Sequence, residues 1–209
     1  MNPTLFIATP LHDARVHAVY TAGLLDAAAT WPCRWFTVNG TSIMRQRDQL
    51  VAKFLESECT HLLWVDSDIA WSADEVSKLL GTDREFVAGC YARKSKAGLV
   101  PAMLLPNRDG ELIEASHVAT GFLLVSRAAV ELMAASAERY SSGGVGCLSF
   151  FHQRLDEGTE DLSFCRRYRE CGGQVWLHTG CVVGHYDGNT LYRPDMANLL
   201  APPVAAAAE

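Results

Sequence analysis

The chain has 209 residues, 49% hydrophobic and 20% charged, with 18 Lys+Arg against 24 Asp+Glu and a formal charge of −6. This balance excludes wholesale disorder, and a chain of this length buries about 70% of its unfolded surface without needing a disulfide or a structural metal. The acidic charge weighs mildly against a protein that holds nucleic acid on a basic face, and leaves room for an enzyme that meets a nucleic acid locally.

Leu5-Phe6-Ile7-Ala8, closed by Thr9-Pro10, reads as a buried strand ending in a loop. Val16 to Thr30 reads as a helix, and Trp35 to Val38 as a second strand stopped by Asn39-Gly40. A helix capped by Thr41 or Ser42 follows, with Ile43, Leu50, Val51, Phe54 and Leu55 on one stripe. His61 to Val65 is a third strand and runs straight into Asp66-Ser67-Asp68. Ser72-Ala73-Asp74-Glu75 is a capping box that opens a helix to about Leu80, and Phe86 to Tyr91 is a fourth strand. This strand–helix alternation predicts an α/β fold with a mostly parallel central sheet flanked by helices.

The second half is less regular. Pro101 to Pro106 and Glu111 to Ser116 read as strands or a hairpin, Thr120 to Ser126 as a strand, and Arg127 to Ala137 as a helix. Ser141 to Gly146 reads as a flexible loop. A helix over Asp161 to Cys171 ends at Gly172-Gly173, and Gln174 to His178 is a last strand. One domain is expected over residues 1–197, with a frayed tail over 198–209. The seven cysteines are scattered without a CxxC pair, which argues against a zinc ribbon or a redox motif and for small buried hydrophobes in a reducing compartment. No apolar run nears the roughly 20 residues of a membrane span, and MNPTLFIATP has no basic n-region. A soluble, cytoplasmic chain is expected.

Asp66 and Asp68 sit where open α/β sheets place ligands, at the carboxyl end of a strand. Two carboxylates one residue apart can share a hard cation such as Mg²⁺ or Mn²⁺, which keeps positions open for phosphate oxygens. They can equally be a strand terminator and a turn cap. Glu160 and Asp161 fall at a helix start, where anions are favoured, and serve as caps or as a catalytic base. His185, beside Gly184, is either a structural histidine or a metal ligand. Arg47 shares the stripe of Ile43, Leu50 and Phe54, so it points inward and needs partners. Those partners are a phosphate or carboxylate of a site, or an internal aspartate. Arg45 lies off the stripe. Lys94-Ser95-Lys96 is a positive loop, either solvated or facing phosphates.

Together these segments resemble nucleotide-sugar glycosyltransferases of the GT-A fold, a Rossmann-like single domain. LLWVDSD is similar to their DxD strand, ATGFLLVSRAAVELM to the strand and helix lining the acceptor side, and GTEDLSFCRRYRECGGQVWLHTGCVVGHYDG to a block shared by family 2 members and polypeptide N-acetylgalactosaminyltransferases. The resemblance implies Asp66, Asp68 and His185 as ligands of Mn²⁺ or Mg²⁺, and Glu160 or Asp161 as base in an inverting reaction. It implies Thr9, Pro10, Arg47, Asp66, Ser67 and Gly121 as contacts of the nucleotide sugar. Asp48 departs from it, since many relatives carry Asn there. The implied reaction moves a sugar from a nucleoside diphosphate sugar, foremost a UDP-sugar, to an acceptor hydroxyl on a hydroxymethylated DNA base, a saccharide or a protein. Acceptor choice would rest on loops 93–110 and 141–158 or on a partner subunit, a second copy of the chain included. Two other readings stay open. A nucleotidyltransferase should carry a Gly-rich basic loop where this chain has ATPLHDAR, and a non-catalytic nucleotide-sugar-binding module would keep its affinity after Asp68→Ala.

Overall fold

The computed structural model describes residues 2–94, 98–153 and 158–200. In chain order the elements are β1 (Leu5–Leu11), α1 (Ala18–Thr30), β2 (Cys33–Asn39), α2 (Ile43–Glu56), β3 (His61–Val65), β4 (Ile69–Ala70), α3 (Ala73–Leu80) and β5 (Phe86–Cys90). They continue with β6 (Ala102–Asp109), β7 (Leu112–Val118), β8 (Phe122–Ser126), α4 (Arg127–Ala134), β9 (Arg139–Ser142) and β10 (Val145–Leu148). The last are α5 (Glu160–Glu170), β11 (Val175–Val182), β12 (Gly184–Tyr186), β13 (Leu191–Tyr192) and α6 (Met196–Leu200).

One large sheet has the order β2-β1-β3-β8-β5-β11-β7-β6. Strands β2, β1, β3, β5, β11 and β6 run one way; β8 and β7 run against them. The sheet is therefore mixed, with the expected parallel strands interleaved by β8 at its centre. Its two faces are both covered, and the pleat explains how one strand serves both. Phe6 and Ala8 of β1, with Leu62 and Trp64 of β3, join a core with Leu50 and Phe54 of α2 and Phe164 of α5. Leu5, Ile7, Leu63 and Val65 face the opposite core, with Tyr20 of α1 and Val76 and Leu79 of α3. All seven cysteines are free, and five are buried.

The stretch expected as a flexible loop, Ser141 to Gly146, is the hairpin β9–β10. Gly143 and Gly144 turn it with φ of +59° and +80°, the left-handed pair that a two-residue hairpin turn requires. Gln49 Nε2 of α2 donates to the Ser142 carbonyl at 3.0 Å and fixes the hairpin to the helix. The proposed tail begins inside α6, and residues 201–209 lie outside the described residues, as do Ser95 and Lys96.

Asp48, next to Arg47 on α2, has no exposed surface. Its Oδ1 accepts from the backbone N–H of Phe150 at 3.0 Å and of Phe151 at 3.1 Å. The Tyr140 hydroxyl donates to Oδ2 at 2.8 Å. One carboxylate thus holds the 140–151 segment on α2 and drives Phe150 and Phe151 into the core. An asparagine would offer one such acceptor, not two. Asp48→Ala strands two buried N–H donors and a half-buried hydroxyl and should cost about 3 kcal/mol in denaturant unfolding, with Asp48→Asn losing less. A loss under about 1 kcal/mol for the alanine variant would contradict this role.

Candidate functional site

The site forms where β1 and β3 end and α5 begins. Beyond Val65 the chain turns sharply, and four main-chain bonds fix the turn. Asp66 N–H donates to the Gly121 carbonyl (3.0 Å), Ile69 N–H to that of Asp66 (3.0 Å), His17 N–H to that of Ser67 (3.0 Å), and Tyr186 N–H to that of Asp68 (2.8 Å). The small sheet β13-β12-β4 then pairs His185 with Ile69 and Gly184 with Ala70. A segment far along the chain is thereby set beside the acidic turn. A Cβ on Gly184 would lie 2.6 Å from Leu191 Cδ1 of β13, so the half-exposed leucine would have to shift to admit one.

Arg47 occupies the floor. Its side chain is 4% exposed. Nη1 bonds Asp161 Oδ1 and lies 3.9 Å from Glu160 Oε1, and Nη2 lies 3.4 Å from Asp66 Oδ1. Its guanidinium carbon stands 5.4 Å from the Phe151 ring and 5.9 Å from that of Trp64. Both alternatives for Arg47 meet here: it pairs internally with aspartates, and those aspartates line the cleft. Thr120 Oγ1 also donates to Asp161 Oδ1. Burial pushes the Asp66 carboxyl up to about 6, although Arg47 pulls it down, and Asp68 and Asp161 add to the rise.

Asp68 has a different environment. Lys94 Nζ bonds its Oδ2. Its Oδ1 is buried and accepts no hydrogen bond. His185 Nε2 lies 3.4 Å from that oxygen, while His185 Nδ1 is 2.8 Å from the Ala92 carbonyl. A carbonyl only accepts, so Nδ1 carries the proton, and in the neutral ring Nε2 presents a lone pair. In that form two acceptors face each other, an arrangement satisfied by a shared cation or by a second proton on the ring. Burial alone would raise the Asp68 carboxyl; His185 in its imidazolium form and Lys94 outweigh it and hold it below the usual value.

A cavity of about 370 Å³ is lined by Pro10, Arg47, Asp66, Ser67, Asp68, Glu160 and Asp161 among the expected site residues. His185 adjoins it through Asp68. Thr9 is buried instead: its hydroxyl bonds Tyr20, and Trp35 Nε1 donates to it at 3.2 Å. Gly121 lies behind Asp66, where a Cβ would stand 2.6 Å from the Tyr91 hydroxyl and 3.1 Å from Asp66 Oδ2. His12, Gly40, Thr41, Ile43 and Gln46 also line the cavity, and the sequence reading did not single them out as site residues. Gln46 shares the inward face of Arg47, and its Nε2 donates to the Leu11 and Gly40 carbonyls, joining the end of β1 to the loop after β2. Its place next to Arg47 on the helix was the available signal.

Removing one partner from a buried ionic cluster costs more than the cluster stabilises, because the rest is left uncompensated. Arg47→Met should therefore lose about 3–5 kcal/mol at pH 8. Without the guanidinium the folded-state pKa of Asp66 rises further above about 6. A raised carboxyl is accommodated at low pH and penalised as pH climbs through its folded value. The deficit relative to wild type should thus shrink between pH 8 and pH 5. A pH-independent deficit would contradict the account.

No family model matches the chain, and no curated protein matches it. Among solved structures, the chain is similar to A197 from STIV, with a TM-score of 0.60 at 15% identity over 92% of this chain and 94% of that one. UDP-glucose pyrophosphorylase complexed with UDP-glucose gives 0.47 at 7% identity over 94% of each chain. A glycosyltransferase involved in the glycosylation of the major capsid of PBCV-1 gives 0.37 at 13% identity, over 62% of this chain and 63% of that one. The first is a likeness of fold across nearly the whole chain, and the two lower scores add nothing to it.

Proposed function

We propose that the chain is a metal-dependent glycosyltransferase that moves a sugar from a nucleoside diphosphate sugar, foremost a UDP-sugar, to an acceptor hydroxyl. One observation carries this reading. Asp66, Asp68, His185, Arg47, Glu160 and Asp161, drawn from separate stretches of the chain, meet around one cleft at the carboxyl edge of β3. The sequence resemblance to GT-A enzymes names the same residues.

The residues fit a divalent cation. Asp68 Oδ1 is a buried carboxylate oxygen with no hydrogen bond, and the facing His185 nitrogen has its other ring nitrogen anchored on Ala92, as is usual for a metal-binding histidine. Asp66 stands at the same turn. No cage of three such side chains forms among the described residues; Mg²⁺ and Mn²⁺ commonly take one or two carboxylates and complete their shell with phosphate and water. Bound there, Mn²⁺ or Mg²⁺ supplies charge neutralisation for the leaving diphosphate.

The chain's own residues account for the rest. Pro10, Gly40 and Thr41 also line the cleft, and the resemblance sets the loop of Pro10 against the nucleotide base. Arg47 keeps Asp66, Glu160 and Asp161 in place without leaving its buried position. In an inverting reaction the acceptor oxygen bonds the anomeric carbon as the bond from that carbon to the phosphate oxygen breaks. The hydroxyl proton passes to Glu160 or Asp161. Asp161 is the more tightly held of the two, since both Arg47 and Thr120 bond it.

The test is thermal unfolding with a panel of nucleoside diphosphate sugars, with and without Mn²⁺. A donor at about 100 times its Kd should stabilise the fold by about 2.7 kcal/mol, only with metal present, and Asp68→Ala or His185→Ala should abolish the metal-dependent part. Absence of stabilisation by every donor, or equal stabilisation of the Asp68→Ala variant, would overturn the proposal.

A further inference from the structure

Two cations touch the acidic turn, and they are held very differently. Arg47 is fixed by three carboxylates and two aromatic rings and is nearly inaccessible. Lys94 is 35% exposed and bonds Asp68 Oδ2. The residue before it is anchored, as is Gly98 further on. Arg93 N–H donates to the Leu99 carbonyl at 2.9 Å, and Asp195 N–H to that of Gly98 at 3.0 Å. The stretch leading to Lys94 also builds the site: the Tyr91 hydroxyl accepts from Gly121 N–H at 3.1 Å, and the Ala92 carbonyl holds His185. A flexible ammonium therefore rises from a fixed base onto the carboxylate that faces His185.

An ammonium in contact with Asp68 and a divalent cation on the same carboxylate repel each other strongly at such range. A diphosphate, in turn, brings more negative charge than one divalent cation cancels. Lysine is well suited to answer both demands, as a mobile point charge with three donors that binds phosphate readily. We infer that Lys94 exchanges partners: it neutralises Asp68 in the ligand-free chain and turns to the donor's diphosphate when that carboxylate takes a metal. This rests on the reading of Asp68 as a metal ligand under the proposed function. It makes Lys94 a diphosphate-binding residue and makes metal and nucleotide binding mutually reinforcing, because each removes an obstacle to the other.

The opposed signs of one substitution test it. Mn²⁺ alone is titrated by the electron paramagnetic resonance of the free ion, and UDP by calorimetry at saturating Mn²⁺, for wild type, Lys94→Met and Lys94→Arg. Lys94→Met should bind Mn²⁺ alone about fivefold tighter, as loss of a part-exposed competing ion pair allows. It should bind UDP with Mn²⁺ about tenfold weaker, as loss of a charge-assisted phosphate contact requires. Lys94→Arg, which keeps the charge, should stay near wild type in both. A substitution that only loosened the fold would weaken both. If Lys94→Met moves both constants the same way, or neither, the exchange is overturned while the metal reading stands. If wild type and both variants ignore Mn²⁺ and UDP alike, the metal reading falls and this inference with it.

Discussion

The site depends on one buried guanidinium. Arg47 reaches the end of β3 and the start of α5 at once, so it joins Asp66 to Glu160 and Asp161 across the cleft. Without it, three carboxylates would crowd a region of low dielectric, and Asp66 already shows the strain of burial in its pKa of about 6. The arrangement leaves more negative than positive charge at the cleft. That surplus of negative charge would attract a divalent cation, and the cation would in turn offset the charge of a diphosphate.

Helix α2 carries two duties on adjacent residues. Arg47 faces the cleft, and Asp48 pins the 140–151 segment, which returns Phe151 to pack against the Arg47 guanidinium. The core and the site are thus coupled through neighbouring side chains with opposite charge and separate partners. At the other end of the acidic turn, β4 and β12 do comparable work in main-chain terms by holding His185 to Asp68. Tyr91 and Ala92 complete the frame from β5.

Much of this was legible in the sequence, and particular residues show why. The alternation of strands and helices over the first 90 residues follows from local periodicity, and it holds. Arg47 could be placed because four-residue spacing from Ile43 sets it on an apolar stripe, where a charge must find partners. Asp66 and Asp68 could be placed because the apolar run Leu62 to Val65 ends in them. Other features depend on the path of distant segments. Lys94 read as solvated surface ahead of a phosphate contact, since nothing near it in sequence shows that Asp68 lies beneath. The backbone at Thr9 read as a nucleotide contact by resemblance, and that its hydroxyl packs between Tyr20 and Trp35 had no local signal. The Ser141 to Gly146 hairpin had its signal in Gly143-Gly144, but the anchoring Gln49 is remote. The antiparallel insertion of β8 between β3 and β5 likewise follows from chain routing and not from the pattern of any one strand.

The central claim is that the Arg47-braced turn holds a divalent cation together with a nucleoside diphosphate. Paramagnetic broadening of backbone amide resonances by Mn²⁺ in the presence of UDP tests it most directly. The account predicts selective loss of signals from Asp66 to Ile69 and Gly184 to Tyr186. Signals at the opposite end of the sheet, such as Thr60 and Glu85, should persist. Broadening centred elsewhere, or spread evenly over the chain, would contradict it.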